Sequence, residues 1–94
     1  MTTMNSREAA ESVALEALSF LTRDAERIAG FLANAGIGPD RLRDVAGEPG
    51  FLAAVLDYLL ADEPMLLIFS QDSGIAARSI PAARMALGDP ERPF

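Results

Sequence analysis

The amino-acid sequence predicts an all-α protein, a compact orthogonal bundle of five or six short helices. Apolar residues recur at the three- and four-residue spacing that places them on one side of a helix. Glycine and proline interrupt this pattern at short intervals, so the helices are expected to be short and to change direction sharply. No segment shows the sustained alternation of apolar and polar residues, rich in β-branched side chains, that is typical of strands.

The first predicted helix runs from about Ser6 to Leu21. Asn5 and Glu8 stand at the spacing of a capping box, in which each side chain bonds to a backbone N–H at the start of the helix. The positions expected to face the core are Ala10, Val13, Ala14, Ala17, Leu18 and Leu21.

The second helix is expected to begin at a cap formed by Asp24 and to end at Gly36, which tolerates the positive φ common after a helix. Its inward positions are Ile28, Phe31, Leu32 and Ala35. Pro39 then predicts the first turn of a short third helix, since proline lacks an N–H that would be unpaired there. This helix is expected to close at Gly47.

The stretch from Phe51 to Phe69 is rich in large apolar side chains, since 12 of its 19 residues are Val, Ile, Leu, Met, Phe or Tyr, and it is predicted to form the centre of the fold as two helices. In the first of them, an angular step of 100° per residue separates two sides. The core side is expected to hold Leu52, Val55, Leu56, Leu59 and Leu60, with Phe51 and Tyr58 flanking it. The opposite, thin side is expected to hold Ala53, Ala54, Asp57 and Ala61.

The second of the two central helices is expected to start near Asp62, because a capping residue followed by Glu63 and Pro64 is a typical helix start. Its body, residues 65–69, is apolar on all sides and is therefore expected to be covered on most of them. The helix is expected to stop before Gly74.

The last helix is expected to carry Ile80, Ala83 and Leu87, and to start either near Ala77 or only near Ser79, because proline at position 81 is tolerated only in a first turn. The 94 residues are expected to form one domain, with an ordered core at about 6–88 and flexible tails at 1–4 and 89–94.

The composition argues against several classes of function. A formal net charge of −6 disfavours a dominant role in binding nucleic acid or an anionic membrane, since both depend on Lys and Arg. The chain has no cysteine, which removes disulfides and thiol nucleophiles and fits a cytoplasmic location. Residues 1–12 include acids where a signal peptide needs an apolar core, so no export signal is predicted.

Enzymatic activity is not expected, because the sequence has neither histidine nor cysteine and no catalytic motif. No catalytic, cofactor-binding or metal-ligating residue is assigned. Asp57, Asp62 and Glu63 lie close together in sequence, and an acidic spot for Mg²⁺ or a basic partner is one interpretation. The simpler interpretation is that Asp57 keeps one side of its helix exposed to solvent and that Asp62 caps the next helix.

The segment from Phe31 to Arg43 resembles a helix-turn-helix DNA reader, with Arg41 and Arg43 on the second helix. Leu32 is bulky where such motifs need a small residue, and the second helix is short and acidic. Because of these departures, a DNA-binding regulator that uses the two arginines is the alternative function and not the main prediction.

The residues that carry a family resemblance extend from about residue 8 to residue 88. They are the segments 17–21 (ALSFL), 31–32 (FL) with Gly36, 51–57 (FLAAVLD), 62–63 (DE), 66–69 (LLIF), 83–84 (AR) and 87–88 (LG). Together they resemble a small bacterial family, domain of unknown function number 3572, found chiefly in alphaproteobacteria. The family pattern has a proline near position 77, where this chain has alanine. The resemblance implies no activity, cofactor, ligand or site residue.

The sequence thus predicts a small, non-enzymatic, cytoplasmic protein that binds another protein or a second copy of itself, with nucleic acid and membrane as unlikely targets. The candidate binding face is the thin side of the central helix, formed by Ala53, Ala54, Asp57 and Ala61. Small side chains there permit close approach of another helix, either inside the fold or between molecules.

Overall fold

The computed structural model describes residues 6–88, which form six α-helices and one turn of 3₁₀ helix. The helices are α1 (Ser6–Thr22), α2 (Ala25–Ala35), α3 (Leu42–Val45), α4 (Pro49–Leu60), α5 (Glu63–Ser73) and α6 (Ser79–Leu87), and the 3₁₀ turn is Pro39–Arg41. No strand occurs in residues 6–88, so the all-α prediction is confirmed. The predicted tails, 1–4 and 89–94, and the predicted cap at Asn5 lie outside the described residues.

The ends of α2 and α5 form as their local sequences predict. Asp24 Oδ1 accepts hydrogen bonds from the backbone N–H groups of Glu26 at 2.9 Å and Arg27 at 3.3 Å. At the start of α5, Asp62 Oδ1 accepts a hydrogen bond from the Met65 N–H at 3.1 Å. Gly36, with φ 72°, follows the last residue of α2. These contacts satisfy backbone groups that a helix end leaves unpaired.

Gly36 and Gly47 provide a matched test of this backbone geometry. A Cβ added at either position would meet no atom within 4 Å, but only Gly36 has a positive φ. Gly36→Ala is therefore expected to lower the free energy of unfolding by about 1 to 2 kcal/mol, the cost of the left-handed conformation for an L-residue. Gly47→Ala is expected to change it by less than about 0.5 kcal/mol. Urea denaturation measures both, and equal effects would contradict the assigned geometry.

The fold is organised around α1 and α4. The most extensive packing is between α1 and α6, and both of these helices also pack against α4. Three alanines of α1, at positions 10, 14 and 17, are buried, as is Ala83 of α6. Because small side chains allow helix axes to approach closely, they set a short distance between α1 and its neighbours.

Aromatic rings connect α4 and α5 to the earlier helices. Phe31 of α2 makes edge-to-face contacts with two residues of α4, Phe51 at 5.7 Å and Tyr58 at 5.4 Å between ring centroids. Phe20 of α1 makes a similar contact with Phe69 of α5 at 5.4 Å. Such pairs add roughly 0.5 to 1.5 kcal/mol each beyond the burial of their area.

The prediction that α4 lies at the centre of the core is confirmed in outline and wrong in detail. Its fully buried residues are Phe51, Val55, Leu56 and Leu59. Leu52 and Leu60, predicted as core, are only partly buried, whereas Ala53, predicted on the thin side, is 3% exposed. The buried side of α4 is wider than predicted because both α1 and α6 pack against this helix.

The prediction that α5 is covered on most sides is wrong. Leu66 and Phe69 are buried, but Leu67 is 47% exposed and Ile68 is 42% exposed. The physical reason is that α5 packs mainly against α4 and α1, which cover one side of it. The opposite side of α5, which carries Leu67 and Ile68, stays exposed although it is also apolar.

The last helix starts at Ser79, the later of the two predicted positions. Pro81 is therefore its third residue. This placement lies in the first turn, where a missing N–H costs nothing because it would have no partner within the helix.

Candidate functional site

Every candidate polar group lies at the surface, since no polar or charged side chain within residues 6–88 is buried. The face predicted from the sequence is divided by the fold. Ala53 is in the core, Ala54 is half-buried, and Asp57 and Ala61 are exposed. The four residues therefore do not form one continuous outer surface.

Part of the predicted face is used inside the protein. Arg84 of α6 donates a hydrogen bond from Nε to Asp57 Oδ1 at 2.8 Å, and this contact is also an ion pair. The same guanidinium donates from Nη1 to the Gly88 carbonyl oxygen at 2.9 Å, which caps the end of α6. Asp57 thus helps to fix α6 on α4, although its side chain is still 56% exposed.

The remaining residues of the face border an open depression of about 470 Å³ between α2 and α4. It is lined by Phe31, Asn34, Ala35, Ala54, Asp57, Tyr58, Ala61 and Asp62. The Tyr58 side chain of α4 reaches across to α2, where a Cβ added at Gly30 would lie 2.7 Å from the Tyr58 hydroxyl oxygen. The lining of this depression combines apolar side chains with the polar side chains of Asn34, Asp57 and Asp62.

The acidic residues of the predicted Mg²⁺ spot have separate surroundings. Asp57 bonds to Arg84, Asp62 caps α5, and Glu63 lies exposed in the first turn of α5. Within residues 6–88 no group of three or more acidic, histidine or cysteine side chains is arranged to hold a metal ion. The capping role predicted for Asp62 is confirmed.

The segment that resembles a helix-turn-helix has a second helix of only four residues, α3, preceded by a 3₁₀ turn. Arg41 and Arg43 are exposed, with Asp40 and Asp44 beside them in sequence and also exposed. A recognition helix in a major groove presents three or four side chains to base edges, and α3 makes about one turn. This geometry does not favour the DNA-binding alternative.

The surface that stands out is the side of α5 that points away from the core. Four exposed residues share it, here called the α5 outer face: Pro64, Leu67, Ile68 and Gln71. Positions 64, 67, 68 and 71 follow the spacing that places residues side by side along one helix side. Single exposed apolar residues are common, but three that adjoin each other form a patch.

Acidic residues border this patch at both edges. Glu63 stands one turn before Leu67, and Asp72 stands one turn after Ile68; both acids are exposed. The chain has no Lys or Arg from position 45 to position 77. On the side toward α1, Arg23 lines a small depression together with Asp72. The field at the α5 outer face is therefore negative, most strongly near Glu63.

Comparison with protein families identifies the chain. The sequence profile of the family described as "Protein of unknown function (DUF3572)" matches residues 7–90. The chain belongs to this family. The resemblance seen in its motifs is thereby confirmed. No curated protein and no solved structure matches the chain significantly.

The DUF3572 match spans all but the first residue of the six helices described above, and it includes the α5 outer face. Across residues 6–88, no helix has both the length and the apolar character needed to cross a membrane.

Sequence reasoning about this DUF3572 chain missed Leu67 and Ile68 as surface residues because it placed both in the core. A signal was present. Glu63 and Asp72 stand one helical turn outside the two residues, and acids at both edges of an apolar pair are typical of a side that meets water.

Proposed function

We propose that this protein is a non-enzymatic module that acts by binding a protein, through the α5 outer face. The observation that carries the proposal is the exposure of Leu67 and Ile68, at 47% and 42%, on a helix whose other side is already buried. Covering what remains exposed of each side chain would contribute roughly 1 kcal/mol, about half of the value for burying the whole side chain.

The chemistry of the chain supports a binding role. It has no histidine or cysteine to serve as a nucleophile, a general base near neutral pH or a zinc ligand. Its acidic surface residues on α4 and α5 are engaged in capping and in the contact with α6, or border the α5 outer face. The proposed setting is the bacterial cytoplasm, in keeping with a chain that has no cysteine for disulfides.

The test is affinity capture from the cell of origin, followed by mass spectrometry, with the parent chain and two variants. Leu67→Ser combined with Ile68→Ser is expected to lose captured protein by roughly tenfold to a hundredfold, because about 2 kcal/mol of apolar burial is removed. The matched control is Leu15→Ser on α1, where Leu15 is 54% exposed and lies on a different helix. Capture by this control is expected to equal that of the parent.

Two further measurements make the test decisive. Far-UV circular dichroism must show the same helix content in all three chains, since the changes are at exposed positions. Light scattering on the parent chain reports self-association. A strict monomer that captures nothing, or capture that is unaffected by the double substitution, would count against the proposal.

A further inference from the structure

We infer that the occupant of the α5 outer face is an amphipathic helix whose apolar stripe is bordered by Lys or Arg; this inference rests on the proposed function and specifies its partner. The apolar part of the face consists of Pro64, Leu67 and Ile68, which are adjacent at helical spacing. A helix with residues at the same spacing can pack its ridges against this side. The described residues 6–88 contain no strand edge that a partner strand would extend.

The charge around the patch selects the partner. Glu63 and Asp72 lie at the two opposite edges of the α5 outer face, and each stands one turn from the nearer apolar residue. A basic residue on either side of the partner's stripe would meet one of these carboxylates while the stripe covers Leu67 and Ile68. Opposite charges at the rim of an apolar contact raise specificity and the association rate.

A second copy of this chain does not fit the same requirement. Two α5 outer faces in contact would bring together two copies each of Glu63 and Asp72, and the chain has no Lys or Arg from position 45 to position 77 to pair with them. The edges of such a contact would hold four carboxylates and no basic residue of α5, between molecules that each carry a formal charge of −6. An anionic membrane is disfavoured for the same reason.

The experiment uses three synthetic peptides as probes. They share one Leu/Ile stripe at helical spacing and differ only in the flanking residues, which are Lys, Gln or Glu. Binding of each labelled peptide to the parent chain is measured by fluorescence anisotropy at two salt concentrations. The Lys peptide is expected to bind about three- to tenfold more tightly than the Gln peptide, as two exposed ion pairs allow, and more weakly at high salt. The Glu peptide is expected to bind least.

Variants separate the local effect from the net charge of the protein. Glu63→Gln with Asp72→Asn is expected to remove the preference for the Lys peptide. The matched control, Glu26→Gln with Glu48→Gln, changes the net charge equally at exposed positions outside α5 and is expected to retain the preference. Leu67→Ser with Ile68→Ser is expected to weaken binding of all three peptides by roughly tenfold to a hundredfold.

The outcomes distinguish the two proposals. Equal binding of the Lys, Gln and Glu peptides, all lost in the Leu67 and Ile68 variant, would overturn the basic partner and leave the binding face intact. Peptide binding that is unchanged by the Leu67 and Ile68 substitutions would overturn both proposals. The absence of any peptide binding would overturn the basic helix, and the capture experiment would still decide the proposed function. Dimerisation abolished by the same substitutions, or binding to vesicles rich in phosphatidylserine, would overturn the basic helix in favour of that occupant.

Discussion

Phe31→Ala is expected to destabilise the protein by about 3 to 5 kcal/mol, the range for removing a buried aromatic ring from a core. Phe31 is fully buried and meets the rings of both Phe51 and Tyr58, so its loss leaves a cavity where α2 meets α4. Native proteins have unfolding free energies of about 5 to 15 kcal/mol, so a loss of this size would leave the variant largely unfolded at moderate urea concentrations.

Urea denaturation followed by circular dichroism measures this effect. Phe31→Leu is the control, because leucine fills most of the volume and is expected to cost roughly half as much or less. A cost below about 1 kcal/mol for Phe31→Ala would mean that the contact between α2 and α4 is not formed in solution.

The second large effect is expected from a pair of leucines eleven positions apart. Leu56 is fully buried in α4, whereas Leu67 is 47% exposed on α5. Leu56→Ala is expected to cost about 2 to 5 kcal/mol, and Leu67→Ala less than about 1 kcal/mol, since alanine is also the better helix former. The chemical change is identical, so the difference measures burial alone.

The same urea titration compares the two variants, and the slope of free energy against urea concentration should agree with that of the parent. If Leu67→Ala proved as costly as Leu56→Ala, α5 would be covered on both sides. The α5 outer face would then be part of the core, and the proposed function would lose its basis.

These two leucines also show where the sequence was informative. In α4 the large apolar residues gather on one side of the helix, so periodicity correctly placed Leu56 and Leu59 in the core. In α5 the body is apolar on all sides, and periodicity then gives no direction. Which side is buried depends on the positions of α1 and α4, a tertiary property that local spacing does not contain.

The ends of the helices were predictable because their chemistry is local. The Asp24 and Asp62 caps and the turn at Gly36 each depend on residues within a few positions. The candidate face was not predictable for the opposite reason. Asp57 is paired with Arg84, which lies 27 positions further along the chain, and no residue close to Asp57 in the sequence indicates this partner.

The packing of α1 against α6 has a consequence for biosynthesis. These are the first and last helices of the described chain, and their interface is the most extensive in the fold. The ribosome releases α1 before α6, so the alanine surface of α1 is not yet covered by α6 while the intervening helices emerge. Folding of the domain is therefore completed only after synthesis has passed Leu87, and a nascent chain arrested before Ser79 would present that surface to chaperones.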